Sequence, residues 1–168
     1  MDPSALQAKL DDIFDQALVY HGFTDYIRDY ELFLYCTADP RTGIEPEHLR
    51  YLFKLCVQAD ATTAVRPDVW AVSLDDRLID YESGKDLPGY VWGVNWQILY
   101  PGARVVPDSE SAGRWSQALG VDFHEVLIET NGHNLTLVFS DLEVTTVDPG
   151  YSPFTVPDGG PDFKIPLG

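Results

Sequence analysis

Residues 124–139 read HEVLIETNGHNLTLVF, and this stretch determines the predicted fold. Asn131-Gly132 stands between two segments of alternating polarity, which is the usual sequence of a two-residue type I′ turn. Counting outward from that turn pairs residues that are nearly all apolar and share one face. The pairs are Thr130 with His133, Ile128 with Leu135, Val126 with Leu137, and His124 with Phe139. The sequence therefore predicts an antiparallel hairpin with one buried face.

The opposite face of this hairpin is more polar, and it carries Glu125, Leu127, Glu129, Asn134, Thr136 and Val138. We expect four of these residues, Glu125, Glu129, Asn134 and Thr136, to contact a partner. Glu125 and Glu129 are four strand residues apart, which separates them by ~13 Å. That spacing exceeds the ~5 to 9.5 Å between the paired carboxyl groups of glycosidases.

A second hairpin is predicted nearer the N-terminus. Within 25–37 the even positions are apolar, within 48–60 the odd positions are apolar, and turn-forming residues connect the two segments. A register that places Glu31 opposite Lys54 gives both faces sensible neighbours. Registers shifted by two residues in either direction are also open.

Two helices accompany the strands. Asp2 is a suitable N-cap and Pro3 a suitable first residue for a helix that runs to a stop at Gly22. The second helix begins after Asp108 or Ser109 and ends at Gly120. A short helix after Pro67 that ends near Tyr81, an aromatic strand over 90–100 and a last strand over 142–147 complete the predicted elements.

Together these elements predict an α+β fold, in which an antiparallel sheet of about five or six strands packs against the N-terminal helix and the second helix. Residues 1–147 form a single domain, and residues 148–168 are expected to be a Pro/Gly-rich C-terminal tail.

Charge limits the classes of partner. The chain has 168 residues, with 27 Asp and Glu against 11 Lys and Arg, for a net charge of −16. Nucleic-acid backbones are held by basic side chains, so direct nucleic acid binding and attachment to an anionic membrane are disfavoured. The acidic excess is explained either by solubility in an acidic proteome or by a basic protein partner that it neutralises.

Residues 1–12 contain neither a basic segment nor an apolar core, so no secretory signal is expected. The apolar runs are too short to span a bilayer, and we expect no membrane association. Two cysteines without an export signal favour reduced thiols and a cytoplasmic location. Cys36 and Cys56 are expected on opposite faces of the first hairpin, too far apart for a disulfide.

No catalytic, metal or cofactor motif is present. The four histidines, His21, His48, His124 and His133, are not expected to converge, and His21 is placed in the last turn of the first helix. The sequence contains no phosphate loop, no dinucleotide-binding glycine pattern and no nucleophile elbow. We therefore assign no catalytic residue, no metal and no cofactor. The oligomeric state is left open.

Three stretches carry a resemblance to a known family: GFTDYIRDYE at 22–31, VWGVNW at 91–96 and GHNLTLVFSDLEV at 132–144. The sequence resembles small bacterial proteins of unknown function that are grouped as YxiG-like. The resemblance covers most of the chain except the proline-rich tail, and it implies no mechanism. Some such proteins accompany secreted toxin systems, so the resemblance implies an immunity role.

The leading functional prediction is a non-catalytic acidic interaction protein, of the immunity or inhibitor type, that neutralises a basic partner. One alternative is an enzyme for small polar substrates that uses Asp or Glu with His124 or His48. Another is a small-ligand binding module built on the face that carries Trp92 and Trp96.

Overall fold

The structure is a computed structural model that describes residues 1–72, 97–155 and 159. Within these ranges the helices are α1 (Pro3–Asp11), α2 (Pro67–Val72) and α3 (Glu110–Leu119), with a 3-10 turn at Pro40–Thr42. The strands are β1 (Ala17–Phe23), β2 (Tyr30–Cys36), β3 (Glu47–Lys54), β4 (Gln58–Thr63), β5 (Gln97–Ile98), β6 (Gly102–Val105), β7 (His124–Glu129), β8 (His133–Phe139) and β9 (Asp141–Val147).

The strands form two antiparallel sheets, with the orders β5-β1-β2-β3-β9 and β4-β8-β7-β6. Buried apolar side chains from both sheets and from α1 make one continuous core. Phe53 of the five-stranded sheet meets Phe139 of the four-stranded sheet edge to face, with ring centroids 4.7 Å apart. The α+β class with antiparallel strands is confirmed, and the strands are divided between two sheets that face each other.

The first helix is shorter than predicted. Its cap is confirmed, since the Asp2 carboxylate accepts a hydrogen bond from the Ala5 amide at 3.1 Å and Pro3 follows it. The helix ends at Asp11, however, and residues 17–23 are strand β1. The apolar spacing that predicted a longer helix also suits a strand, because Leu18 lies in the core while the backbone pairs with β2. Tertiary pairing thus outweighs the local helical pattern.

The predicted strand over 48–60 is broken where the chain crosses from one sheet to the other. β3 ends at Lys54 and β4 begins at Gln58, and Leu55 between them has a φ of 51°. The Leu55 amide donates to the Asp29 carboxylate at 2.9 Å, and the Cys56 amide donates to the Arg28 carbonyl at 2.9 Å. Residues just before β2 therefore hold the point at which the chain crosses from one sheet to the other.

The first hairpin is confirmed, in one of the two-residue-shifted registers. Tyr30 lies opposite Phe53, and Glu31 lies opposite Leu52. The Glu31 carboxylate is buried and accepts a hydrogen bond from Arg50 Nε at 2.7 Å, while Lys54 forms its ion pair with Glu143 of β9.

The second hairpin has the predicted register, with Ile128 opposite Leu135. Its turn is not type I′, because neither Asn131 nor Gly132 has the positive φ that this turn requires. Thr130 Oγ1 closes the turn by accepting the His133 amide at 2.9 Å. The loop also carries tertiary contacts, since the Asn131 side chain accepts the Ile98 amide at 2.9 Å.

The remaining elements agree with the sequence where they can be compared. Ser109 caps α3 by accepting the Ala112 amide, and Gly120 ends the helix in the left-handed conformation. β9 matches the predicted last strand. Of the aromatic strand predicted over 90–100, residues 97–98 are strand β5 and residues 99–100 are not strand. Residues 90–96 of that strand, including Trp92 and Trp96, and the predicted helix beyond residue 72 lie outside the described residues.

Asp29→Ala should destabilise the fold by about 1.5–3 kcal/mol, because it removes the buried carboxylate that accepts hydrogen bonds from the Leu55 amide and the Arg28 guanidinium. The free energy of unfolding by urea checks this. Asp39→Ala is the matched control, since Asp39 pairs with Arg41 in the same way but is exposed, and its removal should cost much less. Equal losses in the two variants would contradict the structural role of Asp29.

Candidate functional site

The four residues predicted to contact a partner lie together on the outer face of the four-stranded sheet. Glu129 is opposite Asn134 across β7 and β8, and Thr136 is opposite Leu127. Asp60 of β4 lies opposite Thr136 from the other side and is exposed. This neighbour was not predicted, because residues 58–60 were expected at the end of the first hairpin. We call Asp60, Glu125, Glu129, Asn134 and Thr136 the acidic face.

Each of its three carboxylates has a contact within the fold, and these contacts differ in strength. Glu125 accepts a hydrogen bond from the hydroxyl of Ser109 at the start of α3. Glu129 lies 3.8 Å from Arg104 Nε, a distance that makes only a weak ion pair, and Arg104 is more than half exposed. Asp60 accepts a hydrogen bond from the side-chain amide of Gln58 at 2.6 Å and forms no ion pair with the described residues. Asp60 and Glu129 are therefore the carboxylates of this face that are freest to meet a cation.

Most of the basic side chains form ion pairs within the fold. Seven of them form ion pairs with carboxylates among the described residues, and these pairs are Arg28–Asp29, Arg41–Asp39, Arg50–Glu31, Lys54–Glu143, Arg66–Asp68, Arg104–Glu129 and Arg114–Glu110. With only 11 Lys and Arg against 27 Asp and Glu, this pairing leaves many carboxylates with no basic counterpart in the chain. The surface is consequently one that attracts cations.

A cleft of about 390 Å³ lies where α3 meets β6 and β7, and it brings His124 together with Glu125 and Ser109. His124 Nε2 is shielded from solvent and has no hydrogen-bond partner among the described residues. Burial lowers the pKa of His124, and the charge of the N-terminal amine lowers it further. The imidazole is thus held neutral, with one nitrogen out of reach of a substrate.

The prediction that His21 lies in the last turn of the first helix is wrong. His21 lies in β1 and not in a helix, and its Nδ1 is 2.7 Å from the hydroxyl oxygen of Tyr30. Burial lowers the pKa of His21, and the charge of nearby His133 lowers it as well. His133 Nδ1 is itself 3.2 Å from Gln97 Nε2. The placement of His21 was wrong because residues 17–23 were assigned to a helix.

Both cysteines are free thiols, and burial raises the pKa of Cys36 and of Cys56 to about 11. Thiolate is therefore scarce at neutral pH. Among the residues that the structure describes, no group of three or more His, Cys, Asp or Glu is arranged to hold a metal ion. None of the described helices is long and apolar enough to cross a bilayer.

A second concave surface lies on the outer face of the five-stranded sheet and has a volume of about 500 Å³. We call it the aromatic groove. It is lined by Val19, Tyr20, Phe33, His48, Val147, Asp148, Pro149, Gly150, Tyr151, Pro153 and Phe154. Residues 148–155 form no helix or strand, as expected for the tail, but Tyr151 packs on Phe33 with ring centroids 5.3 Å apart.

The lowered pKa of His21 has a consequence for stability. Because the folded state binds a proton on His21 less readily than the unfolded state, stability is greatest above pH ~6.5 and falls as the pH drops below that value. Urea denaturation at about pH 7.5 and about pH 5 should show this loss, and His21→Gln should show a smaller loss. His124 acts in the same direction, whereas Asp29, with a pKa of about 2, stays ionised over this range. An unchanged pH dependence in His21→Gln would contradict the prediction.

No curated protein matches this chain. An uncharacterized protein from Neisseria gonorrhoeae is similar in structure, with 11% sequence identity and a TM-score of 0.41, over 78% of this chain and 90% of that chain. The family model described as YxiG-like protein matches residues 2–157. That match spans both sheets and α3, so the chain belongs to the YxiG-like family.

Proposed function

We propose that the protein is a non-catalytic interaction protein of the bacterial cytoplasm that binds and neutralises a basic protein partner through the acidic face. The observation that carries this proposal is that Asp60 of β4 pairs with Thr136 of β8, while Glu129 lies on the same face of the next strand, β7. That face is built on paired strands, so its carboxylates are presented on a rigid surface, and little entropy is lost when a partner binds.

The net charge of −16 acts over a longer range than these contacts. An excess of carboxylates draws a cationic protein toward the chain and raises the association rate, and added salt screens this attraction. Polar groups at Asn134 and Thr136 then supply short-range hydrogen bonds that distinguish one basic surface from another. Binding of this kind covers the cationic surface of the partner, which is how an immunity or inhibitor protein acts on a target that uses such a surface.

An enzyme for small polar substrates has less support. The cleft beside α3 joins a histidine to a carboxylate, as such an enzyme needs. However, His124 Nε2 is shielded from solvent, and Glu125 is engaged by Ser109. A general base must reach the proton that it abstracts, and the shielded Nε2 atom of His124 does not.

The first experiment is co-purification of the tagged chain from native cytosol at low and at high salt, with mass spectrometry of the bound proteins. We expect one stoichiometric basic partner at low salt that high salt releases. Absence of a partner under both conditions would overturn the proposal.

With the partner identified, the double variant Asp60→Lys/Glu129→Lys should weaken binding about tenfold or more at low salt, because it places like charges against the basic surface. Glu125 is left unchanged because its contact with Ser109 supports the start of α3. The control is Asp25→Lys/Glu45→Lys, which changes the net charge equally at exposed positions outside the acidic face. Equal weakening by both double variants would show that only net charge matters and would remove the acidic face from the proposal.

A further inference from the structure

One wall of the aromatic groove is formed by a turn over residues 148–151. The Tyr151 amide donates to the Asp148 carbonyl at 3.0 Å, and Gly150 between them has a φ of 85°. This is the geometry of a type II turn, with Pro149 and Gly150 at the positions where proline and glycine are favoured. The turn therefore holds Tyr151 over the sheet without support from a helix or strand.

Four aromatic side chains line the groove. Phe33 is almost fully buried at its base, and the rings of Tyr20 and Tyr151 lie beside it with centroids 6.1 Å and 5.3 Å away. Phe154 adds a fourth ring and is 54% exposed. Water hydrates the exposed faces of aromatic rings poorly, whereas an organic cation is attracted to them by the ring quadrupole.

The charge of the lining agrees with a cation. Among the described residues that line the groove, Asp148 is the one carboxylate, His48 is the one imidazole, and no Lys or Arg is present. Arg50 lies near Tyr151, but its charge is balanced by the buried carboxylate of Glu31, 2.7 Å from Arg50 Nη2. The accessible rings of Tyr20, Tyr151 and Phe154 thus offer π faces of the kind that aromatic cages use to bind alkylated ammonium groups.

We propose that the aromatic groove binds a small organic cation with an alkylated ammonium head group. The groove volume of about 500 Å³ falls within the range of small-molecule sites. The head group contacts the rings of Tyr20, Tyr151 and Phe154, and its charge is balanced by Asp148. This site lies on the five-stranded sheet, is separate from the acidic face and does not depend on the proposed protein partner.

The test compares choline with its neutral carbon isostere, 3,3-dimethylbutan-1-ol, by titration of the whole chain followed by ¹H–¹⁵N NMR. We expect choline to bind roughly tenfold more tightly than the alcohol. The shifted amides should include Val19, Phe33, Val147 and Gly150. Equal binding of the two probes would make the groove a general apolar site and overturn the proposal, as would the absence of binding by choline.

Variants of the groove test which side chains contact choline. Tyr151→Leu keeps an apolar side chain but removes a ring, and Asp148→Asn removes the charge, so each should weaken choline binding several-fold while leaving the alcohol nearly unaffected. Tyr100→Leu is the control, since Tyr100 is an exposed tyrosine outside the groove. Sedimentation of the same samples tests for a second copy of the chain. A dimer that Tyr151→Leu dissociates would assign the groove to self-association and overturn the proposal.

Discussion

The carboxylate of Asp29 holds the chain at the point where it leaves one sheet and enters the other. It is buried and accepts hydrogen bonds from the Arg28 guanidinium, the Tyr26 hydroxyl and the Leu55 amide, each at 2.9 Å. Burial alone would raise its pKa, but these donors outweigh burial and lower the pKa of Asp29 to about 2. The strained φ of Leu55 is compensated by the hydrogen bond that its amide makes with this carboxylate.

The surface that we propose for partner binding depends on this crossing. Because the chain turns at Leu55, residues 58–63 pair with β8 as strand β4 and do not extend β3. That pairing places Asp60 beside Thr136, with Glu129 on the next strand. An uninterrupted strand over 48–60 would leave Asp60 in the five-stranded sheet, and the acidic face would lose its most exposed carboxylate.

The features that were predicted correctly depend on residues close together in the chain. The features that were predicted wrongly depend on contacts between residues far apart in the chain. The register of the β7–β8 hairpin depends on neighbours close in the chain, and it was predicted correctly, as were the caps of α3. The φ values at Asn131 and Gly132 depend on contacts with residues 97 and 98, over thirty positions away, and the predicted type I′ turn was wrong. The end of α1 at Asp11 and the break at Leu55 also reflect distant partners, namely β2 and Asp29. Glu125, Glu129, Asn134 and Thr136 were grouped correctly because one hairpin carries them all, whereas Asp60 comes from a strand that only tertiary pairing creates.

The two proposed surfaces lie on outer faces of different sheets, with one shared core between those sheets. Among the described residues, neither Asp60 nor Glu129 forms a hydrogen bond or an ion pair with the lining of the aromatic groove. Changes at sites that share no partner have additive effects, so a substitution in one surface should leave the chemistry of the other intact. The two surfaces remain linked through electrostatics, because the net charge of the chain attracts a cation to either surface. Salt weakens that long-range attraction, but it has less effect on a cation held against aromatic rings at short range. Different salt dependence is therefore the physical property that separates a cationic protein on the acidic face from a small cation in the groove.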